Sequence, residues 1–373
     1  MTQLDPILSR RRFLQGTAAV GATVSLGGIV AACSSGGGSG GAQQGGTFNW
    51  MTWSDHYIKD QLDAIKRSDN ISANITELAG NAEGFAKLKE VKGQLDMISG
   101  DALWVPAYHK EGLIEPFDIN SLQVAKQLFP FARNFSFWTV PEGYLGYPFG
   151  WSPINIYYNP KYVNPAPDSW QVLLDPKYKG KIVVEKQPEE IVAYMARAAG
   201  FDKPYDLTTD QLGTVKTYLE KLKPNILKFA QQATDSVQVM VTEEAWLITG
   251  NLGNEDRVKD AKGPEIKGFF PKEGSVGWQD AEMTVKGGAN TKLIKPYLEK
   301  AEVAENIAAN FMAYGRPLFN EQAYKVLVNQ GQKERADRYL YNEAEATLAK
   351  VVLKGPGTST QSSIQLFNEI FGA

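Results

Sequence analysis

From residue 47 onward, short apolar strand signals alternate with helical stretches, and that order leaves few folds open. Thr47-Phe48-Asn49-Trp50-Met51-Thr52-Trp53 reads as a first buried strand, with Ser54 and Asp55 placed to cap a helix that starts near Tyr57. A strand over 71–78, a helix over 82–92, a third short strand over 95–99 and a helix from Pro106 follow. Strands that alternate with helices in this way build α/β layers around a doubly wound, mostly parallel sheet. Residues 144–158 (YLGYPFGWSPINIYY) are dense in aromatics, Pro and Gly, and read as strands passing from one lobe to another. A second α/β run then predicts Trp170 to Leu174, a strand over 181–184, helices over 188–199 and 209–222, a strand over 237–241 and a helix from Glu243. Strands over 266–270 and 277–285 and a long helix over 304–314 lead to further helical stretches that close the chain. Roughly 330 residues follow the first 45, more than one hydrophobic core usually serves, so two lobes are expected.

The first 45 residues carry a different message. Arg10, Arg11 and Arg12 precede an uncharged stretch from Phe13 through Val30, the layout of an export signal. Ser9-Arg10-Arg11-Arg12-Phe13-Leu14-Gln15 looks like a twin-arginine signal, a route for proteins already folded in the cytoplasm. The stretch ends Val30-Ala31-Ala32-Cys33, similar to a bacterial lipobox. Cys33 is the single cysteine and so has no disulfide partner within the chain. The competing reading is a transmembrane anchor, since the stretch has about the length of a short span. Its Gly/Ala richness and the small residues before Cys33 favour lipidation. Residues 1–33 are thus expected to be a signal ending at a lipidated Cys33, and 34–45, rich in Gly and Ser, a flexible tether.

Composition excludes several functions. A net charge of −3 with no basic block argues against a nucleic-acid partner. Two histidines, His56 and His109, with no HExxH or CxxC, speak against a zinc site, and no cofactor is expected. There is no G-x-S-x-G elbow, Walker loop or dinucleotide fingerprint, so an enzyme is the weaker alternative. What remains are acids and rings at the expected strand ends, where open α/β sheets bind ligands: Trp53, Asp101, Glu189 and Glu190, Glu243 and Glu244, Trp278 and Asp280. Each has a second reading. Asp101 also suits a helix cap, the glutamate pairs suit the first turn of a helix, and Trp53 and Trp278 suit a core. Carboxylates between aromatic faces match an organic cation: ammonium groups pair with the acids, and methylenes and charge pack on the rings for roughly 0.5–2 kcal/mol per cation–π contact.

Several segments together resemble the spermidine/putrescine-binding proteins of bacterial ABC importers. They are Asn49-Trp50-Met51-Thr52-Trp53-Ser54-Asp55, Lys110-Glu111-Gly112-Leu113-Ile114, Asp168-Ser169-Trp170 with residues 174–181 (LDPKYKGK), and residues 271–280 (PKEGSVGWQD). The resemblance implies a hinged, two-lobe α/β fold, the type II periplasmic-binding-protein fold, each lobe a mostly parallel sheet flanked by helices. Its expected lobes are residues 46–148 plus 275–313, and 149–274 plus 314–373. It implies an exported, non-enzymatic, monomeric protein, lipid-anchored at the outer face of the cell membrane or in the periplasm, that hands a polyamine to an ABC permease. Trp53, Asp101, Glu190, Glu243, Trp278 and Asp280 are its expected ligand residues. The family commonly shows Ser and Tyr after the third strand, where this chain has Asp101 and Leu103, and an expected Asp is Gln187. Stacking is thereby reduced while acid content is kept. Another small solute (an opine, an amino-acid derivative, a phosphonate, thiamine or iron) is the alternative cargo.

Overall fold

The strand Gly46–Thr52 forms because its alternate side chains face an apolar layer: Phe48 and Trp50 are almost fully buried. In the computed structural model, which describes residues 45–372 except 79, 92 and 232, this strand lies between Ile71–Glu77 and Met97–Asp101, parallel to both. The expected signal, Cys33 and nearly all of the tether lie outside the described residues. The sheet continues from Met97–Asp101 to the long strand Ser275–Val285 and then to Val351–Leu353. Ser275–Val285 runs antiparallel to Met97–Asp101 and to Tyr147–Pro153, and parallel to Val351–Leu353.

The second sheet has the order Ile226–Ala230, Ile182–Glu185, Leu247–Gly250, Asn155–Tyr158, Lys267–Phe269. Its first three strands are parallel, and Asn155–Tyr158 is antiparallel to both neighbours. Both sheets are therefore mixed: the strands that return the chain between lobes enter against the parallel grain. Helices cover both faces of the second sheet. Ile156, Ile182 and Val184 point to one buried cluster, while Tyr157, Val183 and Ile248 point to another, as the two-residue period of a strand requires. The helix Pro188–Ala198 is buried along most of its length, and its Tyr194 ring stacks on Trp170 with centroids 4.7 Å apart. The helix Thr209–Leu222 starts at a Thr208–Gln211 capping box.

The lobe boundaries differ from those expected. Residues 149–153 belong to the first sheet, so the first crossing falls at Ile154. Residues 318–348, expected in the second lobe, contribute Leu318, Phe319, Leu327, Tyr339, Tyr341 and Leu348 to the first core. The helix Thr360–Phe371 does reach the second core, through Phe367 and Ile370. The chain thus crosses between lobes at three places: Ile154, the segment between Phe269 and Ser275, and the segment between Leu353 and Thr360.

Local chemistry accounts for two further corrections. Residues 237–241 (VQVMV) look like a strand by their β-branched content but lie in the helix Ala233–Val241, because Val239 and Met240 share a face toward the buried cluster of Tyr157, Val183 and Ile248. The strand is instead Leu247–Gly250, and Glu243 sits before it in a left-handed turn with φ 57°. The first helix begins at Lys59, close to the expected start near Tyr57, but has no side-chain cap, since Asp55 pairs with Arg316 instead.

The crossings are tightly packed. A Cβ on Gly277 would stand 2.5 Å from the Ser152 carbonyl oxygen and 2.7 Å from Val351. Gly277→Val should therefore destabilise the fold by about 1–3 kcal/mol through overpacking, read as a lower chemical-denaturation midpoint; an unchanged midpoint would show that the crossing yields freely.

Candidate functional site

The carboxyl ends of the parallel strands in both sheets face one cleft. Trp53 and Asp55 follow Gly46–Thr52, Asp101 closes Met97–Asp101, Glu185 closes Ile182–Glu185, and Asn251 follows Leu247–Gly250. Glu190 enters from the first turn of the helix Pro188–Ala198, where a carboxylate complements the helix dipole. Trp278 and Asp280 project from the middle of Ser275–Val285, Arg316 follows the helix Ala304–Tyr314, and Lys354 follows Val351–Leu353.

The centre of the site is a cross-strand pair of like charges. Asp280 and Asp101 stand opposite each other in adjacent antiparallel strands, an arrangement that is destabilising unless cations intervene. Two do. His56 Nε2 lies 2.9 Å from Asp280 Oδ2, and its Nδ1 lies 2.6 Å from Glu282 Oε1. Lys354 Nζ lies 3.3 Å from Asp101 Oδ2 and 3.5 Å from Glu190 Oε2. A third cation, Arg316, pairs with the Asp55 carboxylate and donates to the Asp55 carbonyl at 2.8 Å. Its guanidinium lies 5.1 Å from the Phe149 ring centre and 5.9 Å from that of Trp278.

These contacts set the charge states. Burial alone would push the His56 imidazolium down, but the Glu282 and Asp280 carboxylates outweigh it and hold the pKa at about 9. As an imidazolium His56 donates from both nitrogens and keeps no lone pair for base chemistry. Burial works against the Lys354 ammonium too, yet Asp101 and Glu190 hold it firmly protonated. Burial, partly offset by Lys354, lifts Asp101 to about 7, and burial together with Glu190 lifts Glu185 to about 7. Beneath His56, Glu282 also accepts from Trp50 Nε1 at 3.1 Å and from Ser99 Oγ at 2.6 Å, so the imidazolium stands on a filled polar layer.

Two rings frame the acids. Trp278 is held by its Nε1, which donates to Asn251 Oδ1 at 2.8 Å, a bond between a strand of the first sheet and the end of a strand of the second. The Trp53 ring centre lies 5.1 Å from that of His56. Among the lining residues, five carboxylates (Asp55, Asp101, Glu185, Glu190 and Asp280) face two cations, Arg316 and Lys354.

Of the six residues expected to hold a ligand, Trp53, Asp101, Glu190, Trp278 and Asp280 line this one cleft. Glu243 does not. It precedes Leu247–Gly250 and so lies at the amino end of that strand, away from the carboxyl ends, where it pairs with Lys161 at 2.9 Å. The error follows from taking 237–241 as the strand. Sequence reasoning also passed over Asp55 as a ligand residue, and missed Glu185, Asn251, Arg316 and Lys354. Glu185 carried a usable signal, as the last residue of a parallel strand. Lys354 carried none, because the three-residue edge strand before it has no pattern of its own.

Known proteins share this architecture. The family model described as bacterial extracellular solute-binding protein matches residues 94–340. The spermidine/putrescine-binding periplasmic protein of Escherichia coli (strain K12) is 27 % identical over 309 residues, covering 80 % of this chain and 84 % of that protein. The spermidine/putrescine ABC transporter substrate-binding protein PotD from Streptococcus pneumoniae, solved with calcium and HEPES, superposes with a TM-score of 0.70 at 20 % identity, over 87 % of this chain and 98 % of that one. The periplasmic binding protein MotA from A. tumefaciens B6, solved with glucopine, superposes with a TM-score of 0.67 at 17 % identity, over 87 % and 99 %. These neighbours have the two-lobe, type II periplasmic-binding-protein fold. With a family match across most of its length and the carboxyl ends of its parallel strands gathered at one interlobe cleft, the chain belongs to the bacterial extracellular solute-binding proteins.

Proposed function

We propose that the protein is the solute-binding lipoprotein of an ABC importer, and that it carries a small polyamine such as putrescine or spermidine. The observation that carries this reading is the convergence of five carboxylates with the rings of Trp53 and Trp278 in one cleft. Asp280 and Glu185 are the proposed partners of ligand ammonium groups, by charge-assisted hydrogen bonds, Asp101 and Glu190 add negative charge beside them, and Trp53 and Trp278 are the surfaces for the methylene chain. Closure of the lobes about the three crossings traps the ligand and presents the closed, monomeric form to the permease. The names of the Escherichia coli and Streptococcus pneumoniae relatives support the ligand class. Among the described residues, no helix is long and apolar enough to cross a membrane. Membrane attachment is assigned to acyl chains on Cys33 after a twin-arginine signal, on the strength of the lipobox-like Val30-Ala31-Ala32-Cys33; each buried CH2 contributes about 0.8 kcal/mol.

A second reading has one observation in its favour. Arg316 and Lys354 also line the cleft, and a solute bearing an acid as well as an amine, such as an opine or amino-acid derivative, would use them. The likeness to a glucopine-bound protein agrees. Against it, both cations already hold carboxylates of the chain.

Calorimetric titration of the mature chain should register tight binding of putrescine or spermidine, and a thermal shift should follow by mass action. A response to glucopine or to phosphonates but to no polyamine would transfer the assignment to the second reading. Asp280→Asn should weaken polyamine binding by about 1.5–3 kcal/mol, the scale of one charge-assisted hydrogen bond, and unchanged affinity would remove Asp280 from the site.

Binding should depend on pH. A carboxyl lifted to about 7, as in Glu185 and Asp101, is neutral below that value and attracts no ammonium there; it gains charge as pH rises. Polyamine affinity should therefore climb by about tenfold between roughly pH 6 and pH 8 for each such group, while His56, at about 9, stays protonated throughout. A flat or falling profile across that range would contradict these assignments. Finally, Cys33→Ala should move the protein from the membrane fraction to the soluble fraction of cells, and persistent membrane association would point to a spanning anchor instead.

A further inference from the structure

Lys354 occupies an unusual place for a cation. Its N–H donates to the Gly277 carbonyl at 2.8 Å, and its own carbonyl accepts from the Leu103 N–H at 3.1 Å, so its backbone is pinned to the first lobe. The next residues, Gly355-Pro356-Gly357, cross to the second lobe, where Thr358 is held by Asp206 and Ser359 by Tyr205. The side chain is 9 % exposed, and its ammonium joins a carboxylate of each lobe: Asp101 at the end of a first-sheet strand, and Glu190 on a second-lobe helix. Those are the contacts that an ammonium group of a bound amine would make. A ligand ammonium that displaced Lys354 would compensate the two acids but leave the lysine's own buried charge unpaired, which is strongly destabilising, so a ligand does not readily take its place.

Glu185 is the counterpart. It lines the same cleft, makes no ion pair among the described residues, and its Oε1 is buried with no hydrogen-bond partner. Asp101 also keeps an unpartnered oxygen, Oδ1, but its other oxygen already faces Lys354. The acids of the cleft are thus unequal: among the described residues, Asp55, Asp101, Glu190 and Asp280 are ion-paired with cations of the chain, and Glu185 is in no direct ion pair.

We propose that Lys354 is a resident ammonium that fills the amine position between Asp101 and Glu190, and that it sets ligand length. The cleft then favours a short diamine, whose inner ammonium is received by Glu185, over a triamine that would need the filled position. This rests on the amine reading above and narrows it to one member of the class.

The test is calorimetric titration of the full chain, purified in detergent, with putrescine and with spermidine. The proteins compared are the wild type, Lys354→Gln, Lys354→Met, Lys354→Arg and Glu185→Gln, with folding checked by circular dichroism. The wild type should bind the diamine at least as tightly as the triamine. Both neutral variants should raise the triamine-to-diamine affinity ratio by about tenfold or more, the scale of one charge-assisted contact, and Lys354→Arg should leave it near the wild-type value. Glu185→Gln should weaken both amines. Amine binding with an unchanged ratio in the neutral variants overturns the role of Lys354 alone. A wild type that prefers the triamine by about tenfold overturns it even if those variants fail to fold. No binding of either amine by any of the proteins overturns this proposal and the amine reading together.

Discussion

The cleft depends on one electrostatic constraint. Asp101 and Asp280 face each other across adjacent strands, and with Glu190 and Glu282 they would make a buried anionic cluster, which is costly unless cations pair with it. The chain answers with cations brought from distant parts of its sequence: His56 from the loop after the first strand, and Lys354 from the last crossing. Arg316, from the turn after a long helix, does the same for Asp55. The site is therefore assembled only when the first strand, the long central strand and the carboxyl-terminal crossing are all in place. Its net negative character survives, because the acids still outnumber the cations that face the cleft.

Geometry carries the same point to the lobes. Trp278 and Asp280 sit on the strand that returns the chain to the first sheet, so the residues that frame the cleft are also those that define how the lobes meet. The Trp278–Asn251 hydrogen bond and the Lys354 bridge each tie one lobe to the other through a side chain that also faces the cleft. The lining of the cleft and the way the lobes meet are in this way functions of the same few atoms.

Much of this was legible in the sequence, and the reasons are local. The helix Thr209–Leu222 announces itself by its Thr208–Gln211 capping box and Ala304–Tyr314 by the Gly315 that ends it, and Trp278-Gln279-Asp280 stands out as a ring and an acid two residues apart on one strand face. Where the reading failed, a local rule met a tertiary one. Residues 237–241 have strand composition but lie in a helix whose buried face is fixed by the sheet beneath, and that slip carried Glu243 to the wrong end of its strand. The cations were illegible for another reason: a lysine after a three-residue edge strand, or an arginine after a glycine, carries no mark of the acid it will meet hundreds of residues away in the chain.

The threefold interlacing of the lobes has a consequence for biogenesis. The first sheet lacks its central partner until Ser275–Val285 has been made, and the second core lacks Phe367 and Ile370 until the final helix emerges. A fragment that stops short of Thr360–Phe371 therefore leaves the second core without Phe367 and Ile370, an open hydrophobic seam for chaperones and proteases to find, even when every strand of the first sheet is in place.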